Sequence, residues 1–108
     1  MYIRTKDGVY EVIDETKYSY ISIYGKYINK DDVINDGDTI KELCDCFETV
    51  ADYAGQLSFT RYLDFEQARL NMSDEATLYG YIYIILPNGA IRKEPIAKMN
   101  DKGDLELI

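Results

Sequence analysis

Two strand-forming segments joined by a short turn, within residues 77–99, place the strongest constraint on the fold. The first segment, residues 77–86, carries no charge and is apolar on both sides, because successive side chains of a strand point to opposite faces. Such a strand is typical of the centre of a sheet. The second segment, residues 90–99, is more polar and contains Pro95, which cannot donate a ladder hydrogen bond. We therefore predict a β-hairpin whose first strand is central and whose second lies nearer an edge.

Tyrosines and aliphatic residues alternate in two predicted strands, residues 18–24 and residues 79–85. In each strand the tyrosines share one side. If both strands lie in one sheet, their rings can form a continuous aromatic face that stacks on a nucleotide base or an extended peptide. The simpler alternative is a half-exposed sheet face built from residues of high β propensity. The tyrosines of this candidate stacking face are Tyr18, Tyr20, Tyr24, Tyr79, Tyr81 and Tyr83.

Turn and capping signals place the elements of the N-terminal half. Residues 2–5 and 9–13 flank the tripeptide Lys-Asp-Gly, which is typical of a tight hairpin turn. Thr39 and Glu42 have the spacing of a capping box, so we predict that a helix begins at Thr39. The apolar pattern that follows allows either one helix over residues 39–54 or a short helix followed by a strand.

The C-terminal half contains a second helix between predicted strands. Asp64 and Gln67 have the spacing of an N-cap and its box partner, and a strand is predicted before them at residues 57–62. A last strand is predicted at residues 104–107. Tight turns, rather than crossover helices, join the strands at both ends of the chain. The predicted class is therefore α+β, with two short helices on a mostly antiparallel, twisted sheet or a small open barrel, in a single domain over residues 1–108.

The net charge of −8 comes entirely from the middle of the chain. Residues 30–75 contain four basic and twelve acidic side chains, whereas both flanking regions are neutral. This charge argues against direct nucleic-acid binding, which needs lysine and arginine to displace counterions from phosphates. It suits a protein partner with a basic surface, although an ordinary solvated acidic face has the same composition. The candidate partner-binding carboxylates are Asp31, Asp32, Asp36, Asp38, Glu42 and Asp45.

The sequence lacks the residue patterns of common catalytic and metal sites. It contains no histidine, no glycine-rich phosphate loop and no Gly-x-Ser-x-Gly elbow. The two cysteines, Cys44 and Cys46, are too close in sequence for an unstrained disulfide and too few for a zinc site, so we predict reduced structural thiols. An EF-hand that begins at Asp32 is excluded because its third ligand position is Ile34. We expect a protein that is not an enzyme and uses no cofactor or metal.

Membrane and export signals are also missing from the sequence. No run of eighteen apolar residues occurs, and the first residues do not have the basic and then apolar character of a leader. We therefore expect a cytoplasmic protein that does not enter a membrane.

Three segments, residues 2–8, 38–45 and 97–107, together resemble a group of small uncharacterised proteins encoded by prophages of Gram-positive (Firmicutes) bacteria. The resemblance implies a short strand after the first helix, and so favours a break near Cys46. It also implies a context, because small acidic phage proteins often act on host machinery, for example by blocking a nuclease defence such as CRISPR–Cas. It implies no catalytic or binding residues.

Three functional hypotheses follow. The first is an inhibitor whose carboxylates bind a basic, nucleic-acid-binding surface of a host protein, such as a defence nuclease. The second is a module that binds a nucleotide or a peptide on the tyrosine face. The third is a phage accessory protein that forms a homodimer by extending its sheet.

Overall fold

The computed structural model describes residues 2–5, 8–11, 18, 20–86 and 88–108, with only the backbone described for residues 2–5 and 8–11. The strands are β1 (Tyr2–Thr5), β2 (Gly8–Glu11), β3 (Tyr20–Ile21), β4 (Tyr27–Ile28), β5 (Cys46–Tyr53), β6 (Gln56–Tyr62), β7 (Thr77–Ile85), β8 (Ile91–Met99) and β9 (Leu105–Leu107). The helices are α1 (Gly37–Leu43) and α2 (Phe65–Asn71), and a 3₁₀ helix spans Lys30–Asp32. The chain is α+β, as predicted.

The described strands form three sheets. β1 pairs with β2, β3 pairs with β4, and the remaining strands form one five-stranded sheet in the order β6-β5-β7-β8-β9. The predicted hairpin of residues 77–99 is confirmed: β7 is the central strand, and β8 lies beside the edge strand β9. Pro95 lies outside the short ladder that joins Ala97–Met99 to β9, which agrees with its missing N–H group.

The contacts divide the chain into two compact units. Unit 1 comprises Met1–Ile34 and Tyr83–Glu94, and unit 2 comprises Asn35–Ile82 and Pro95–Ile108. Strands β7 and β8 each contribute residues to both units.

In unit 1, β1 and β2 form the predicted N-terminal antiparallel hairpin. Its predicted turn residues Lys6 and Asp7, and the predicted strand end at residues 12–13, lie outside the described residues. The predicted strand of residues 18–24 is much shorter than expected, because β3 has only two residues and pairs with β4, a strand that the sequence reading missed.

In unit 2, both helices begin at aspartate N-caps. The predicted cap of α2 is confirmed, since Asp64 Oδ1 accepts from the Gln67 N–H at 3.0 Å. The predicted start of α1 at Thr39 is wrong. Asp36 is the N-cap, its Oδ1 accepting from the Asp38 N–H at 3.2 Å, and the Thr39 hydroxyl lies 3.3 Å from Asp36 Oδ2. Asp36 caps the helix in place of Thr39 because its carboxylate can accept from the first N–H groups of a helix that begins about one turn earlier.

The chain leaves α1 at Cys44, and β5 begins at Cys46, so the short helix followed by a strand is the correct alternative. The strand is favoured because both of its edges are paired: β6 lies on one side and β7 on the other. Asp45 joins the sheet through its N–H, which donates to the Tyr81 carbonyl at 2.7 Å. Both cysteines are buried, and neither forms a disulfide.

One face of the five-stranded sheet carries the core of unit 2. Phe47 of β5 packs against Phe65 of α2 with ring centroids 5.6 Å apart. A Cβ atom added at Gly80 of β7 would lie 2.5 Å from Cys44 Sγ. The residue that follows α1 can therefore pack this closely on β7 because Gly80 has no side chain. The most deeply buried aliphatic residues of unit 2 are Ile40, Leu78, Ile82, Ile96 and Leu105.

Candidate protein-binding surface

Helices α1 and α2 are linked through Lys41. Its Nζ lies 3.3 Å from Asp38 Oδ1 on the same helix and 3.5 Å from Glu66 Oε1 on α2. The ammonium group also lies 4.7 Å from the ring centroid of Phe65, within the range of a cation–π contact. Side chains far apart in sequence therefore meet on one surface.

Carboxylates dominate this surface. Its exposed acidic residues, which we call the acidic helix surface, are Asp36, Asp38, Glu42, Asp64 and Glu66. The Asp36 and Asp64 carboxylates are engaged as N-caps. Glu66 forms an ion pair with Arg69 at 2.8 Å in addition to its contact with Lys41. Glu42 is exposed, and Asp38 has a side chain that is 89% exposed despite its contact with Lys41. Asp38 is thus well placed to meet a partner, and Glu42 is exposed on the same helix.

The charge of the whole chain resides in unit 2. That unit contains thirteen acidic and five basic side chains, a net charge of −8, whereas unit 1 contains seven of each. The acidic segment of the sequence, residues 30–75, does not coincide with unit 2. Asp31 and Asp32 lie in that segment but belong to unit 1. The field of unit 2 is therefore strongly negative.

Apolar side chains accompany these carboxylates. Leu63, which precedes the cap of α2, is 76% exposed, and Leu70 on α2 is 73% exposed. Leu63 lines an open cleft of about 220 Å³ whose lining also includes Lys41, Phe47, Phe65 and Glu66. Protein interfaces commonly have an apolar anchor surrounded by a polar rim. Exposed Leu63 beside Lys41 and Glu66 has this combination of side chains.

The predicted acidic set divides between the two units. Asp36, Asp38 and Glu42 lie on or at the start of α1, whereas Asp31 and Asp32 are exposed on the 3₁₀ helix of unit 1. Asp45 is half-buried after α1.

Asp64 and Glu66 were missed as site residues. Their helix-start pattern was visible in the sequence, but it does not reveal that α2 packs beside α1.

The predicted aromatic face does not form as one surface of one sheet. β3 belongs to a different sheet from β7. The two segments are joined by the bridge between Ser22 and Ile84 and by the Ile23 N–H, which donates to the Tyr83 carbonyl. That contact buries Ile85, which packs against Ile21 and Ile23. The condition for a continuous tyrosine face is therefore not met.

Four of the six predicted tyrosines take part in local ring contacts. Tyr79 and Tyr81 are half-buried neighbours in unit 2, with ring centroids 6.3 Å apart. In unit 1, Tyr18 contacts Tyr27 at 5.3 Å, and Lys30 lies 5.3 Å from the centroid of Tyr20. The other two are Tyr24, which is exposed, and Tyr83, whose carbonyl accepts from the Ile23 N–H.

Among the described residues, no group of three or more metal-ligating side chains is placed to hold a metal ion. None of the helices described is long and apolar enough to cross a membrane. Comparison with protein-family models, with curated protein sequences and with solved structures gave no match.

Proposed function

We propose that this protein is a non-catalytic binding module that inhibits another protein by docking its acidic helix surface on a basic groove that normally holds nucleic acid. The observation that carries the proposal is the concentration of the whole net charge in unit 2, where exposed Leu63 lines a cleft together with Lys41 and Glu66. Asp38 contacts the same Lys41 from helix α1. The resemblance to prophage proteins supports a host protein, such as a defence nuclease, as the target.

The two kinds of side chain contribute differently. Carboxylates arranged against a basic groove increase the association rate and select the partner, and their effect weakens as salt screens the charges. A desolvated leucine slows dissociation, because burying its side chain stabilises the complex by about 1.5–3 kcal/mol. Together they can compete with nucleic acid, whose own affinity for the groove also depends on salt.

The first experiment is an affinity pull-down of the tagged protein from a Gram-positive host lysate at low and at high salt. We expect a nucleic-acid-binding protein that is retained at low salt and released at high salt. The identified target is then tested for loss of nucleic-acid binding as this protein is added. A target that binds nucleic acid and this protein simultaneously would contradict the proposal.

Matched charge reversals test the surface itself. The double variant Asp38→Lys with Glu42→Lys should lower target affinity more than about 10-fold, mainly through the association rate. The control variant Asp31→Lys with Asp32→Lys makes the same change in net charge on unit 1 and should have a smaller effect. Equal losses in both variants would show that net charge alone, and not the acidic helix surface, governs binding.

A further inference from the structure

We infer that two copies of this chain associate by antiparallel pairing of strand β6 with its own counterpart, about a two-fold axis at Phe59. This inference is independent of the proposed inhibition, since it rests on the edge of the sheet and not on the helices.

Strand β6 is an unusually open edge. It is the outermost strand on its side of the five-stranded sheet, and every residue from Gln56 to Arg61 is exposed. Leu57 is 62% exposed and Phe59 is 59% exposed. The opposite edge, β9, has only three residues and includes Glu106. Proteins commonly protect long edges with proline, lysine or a bulge, but β6 has no proline or lysine and stays in continuous register with β5.

The register identifies which main-chain groups face outward. β5 and β6 are joined by Ala54 and Gly55, both at positive φ, which defines a two-residue type I′ turn closed by the pair Tyr53–Gln56. The Tyr53 carbonyl of such a turn accepts from the Gln56 N–H. Hydrogen-bonded and non-hydrogen-bonded pairs then alternate along the ladder. The main-chain N–H and C=O groups of Leu57, Phe59 and Arg61 consequently point away from β5, toward the outer side of the strand.

A second copy fits this edge in the register centred on Phe59, where the flanking residues Ser58 and Thr60 are alike. The two-fold axis pairs Phe59 with its equivalent and Leu57 with Arg61 of the other copy, and each of these pairs can exchange both N–H···O bonds. On the opposite face of the strand, the same register sets Ser58 against Thr60, a favourable cross-strand hydroxyl pair. No like charges are placed directly opposite each other.

The side chains on the face of Phe59 are also complementary. Phe59 lies opposite Val50, so the pairing continues an apolar row Val50–Phe59 into the same row of the second copy. Arg61 lies opposite Glu48, and Asp52 lies opposite Leu57. In the dimer, Arg61 lies opposite Leu57 of the second copy, and Asp52 of that copy lies on the next strand. Arg61 and this Asp52 are therefore two strand spacings, about 10 Å, apart.

The net charge of unit 2 opposes self-association, but strand β6 itself brings no carboxylate into the contact. Two copies of a unit with net charge −8 repel each other, and β6 contains no carboxylate and one arginine. Added salt screens the repulsion between copies. We expect self-association to strengthen with salt, whereas binding to a basic target weakens, so the failure of either proposal can be recognised separately.

The experiment measures molecular mass by light scattering and sedimentation over micromolar to millimolar concentrations, at low and high salt. We expect a dimer whose population rises with both variables. Phe59→Pro removes the outward N–H together with the exposed ring. It should lower the dimer population at least about 10-fold, while the thermal midpoint of dilute protein changes little because the residue lies on an edge strand.

Cysteine substitutions report the register. In the proposed dimer the Cα atoms of the Phe59 pair are about 5.5 Å apart, so Phe59→Cys should form an intermolecular disulfide on oxidation. Leu57→Cys is the matched control, because the two copies of residue 57 are about 14 Å apart and should not cross-link. A monomer at all concentrations, a dimer insensitive to Phe59→Pro, or cross-linking at Leu57 rather than Phe59 would overturn the inference. If Phe59→Pro instead abolished binding of a foreign protein to a monomer, the edge would belong to a foreign strand and the inference would also fail.

Discussion

Strands β7 and β6 belong to the same sheet and both contain large apolar residues, but their environments are opposite. In β7, Leu78 and Ile82 are fully buried, whereas in β6 Leu57 and Phe59 are about 60% exposed. β7 lies between two strands, and β6 is an edge. The comparison shows that apolar content alone does not define the core of a sheet. Position in the strand order determines which apolar residues stabilise the fold and which remain available for contacts with other molecules.

The largest effect should come from truncating a leucine in each strand. Leu78→Ala removes a fully buried side chain and should lower the free energy of unfolding by about 2–5 kcal/mol. Leu57→Ala, the matched control, should change it by no more than about 0.5 kcal/mol. Denaturant unfolding in dilute solution measures both variants. Equal losses would mean that the edge leucine contributes to the core as much as the central one.

A smaller effect is expected from filling the close contact between β7 and the end of α1. Gly80→Ala places a Cβ atom against Cys44 Sγ and should lower the free energy of unfolding by about 1–3 kcal/mol. The double variant Gly80→Ala with Cys44→Ala removes the clashing sulfur and should cost less than the sum of the two single changes. Additive losses in thermal or denaturant unfolding would show that the cost arises elsewhere than in this contact.

The smallest change in the free energy of unfolding is expected at the N-cap of helix α1, the helix whose end contacts β7. Asp36→Ala removes the N-cap of α1 and should lower the free energy of unfolding by about 1 kcal/mol. Thr39→Ala is the control, because the hydroxyl contacts only the Asp36 carboxylate, and its loss should be smaller. The reverse order in a thermal unfolding series would restore Thr39 as the effective cap.

Sequence reasoning predicted those features that depend on neighbouring residues. The hairpin of β7 and β8 was evident from alternation, from Pro95 and from the turn, in which the Gly89 N–H donates to the Leu86 carbonyl. The cap at Asp64 was evident from its spacing to Gln67. The start of α1 was predicted too late because the capping-box spacing of Thr39 and Glu42 was taken as the start, whereas Asp36, three residues earlier, is the N-cap.

The candidate site was only partly predictable. Asp36, Asp38 and Glu42 are close in sequence and lie together at α1, so their grouping follows from helix geometry. Glu66 joins them through Lys41 only because α2 packs beside α1, a contact between residues 25 positions apart. The aromatic face failed as a single surface because alternation assigns side chains to the faces of a strand but does not assign strands to a sheet.

The sequence by itself determined the local elements, the central character of β7 and the excess of carboxylates, since each depends on residue type and short spacing. Tertiary structure decided the strand order, the burial of Leu78 against the exposure of Leu57, and the meeting of α1 and α2 at Lys41. The physical reason is that burial is a property of distant parts of the chain that pack together. Periodicity within one segment records which faces are apolar, but not which neighbour covers them.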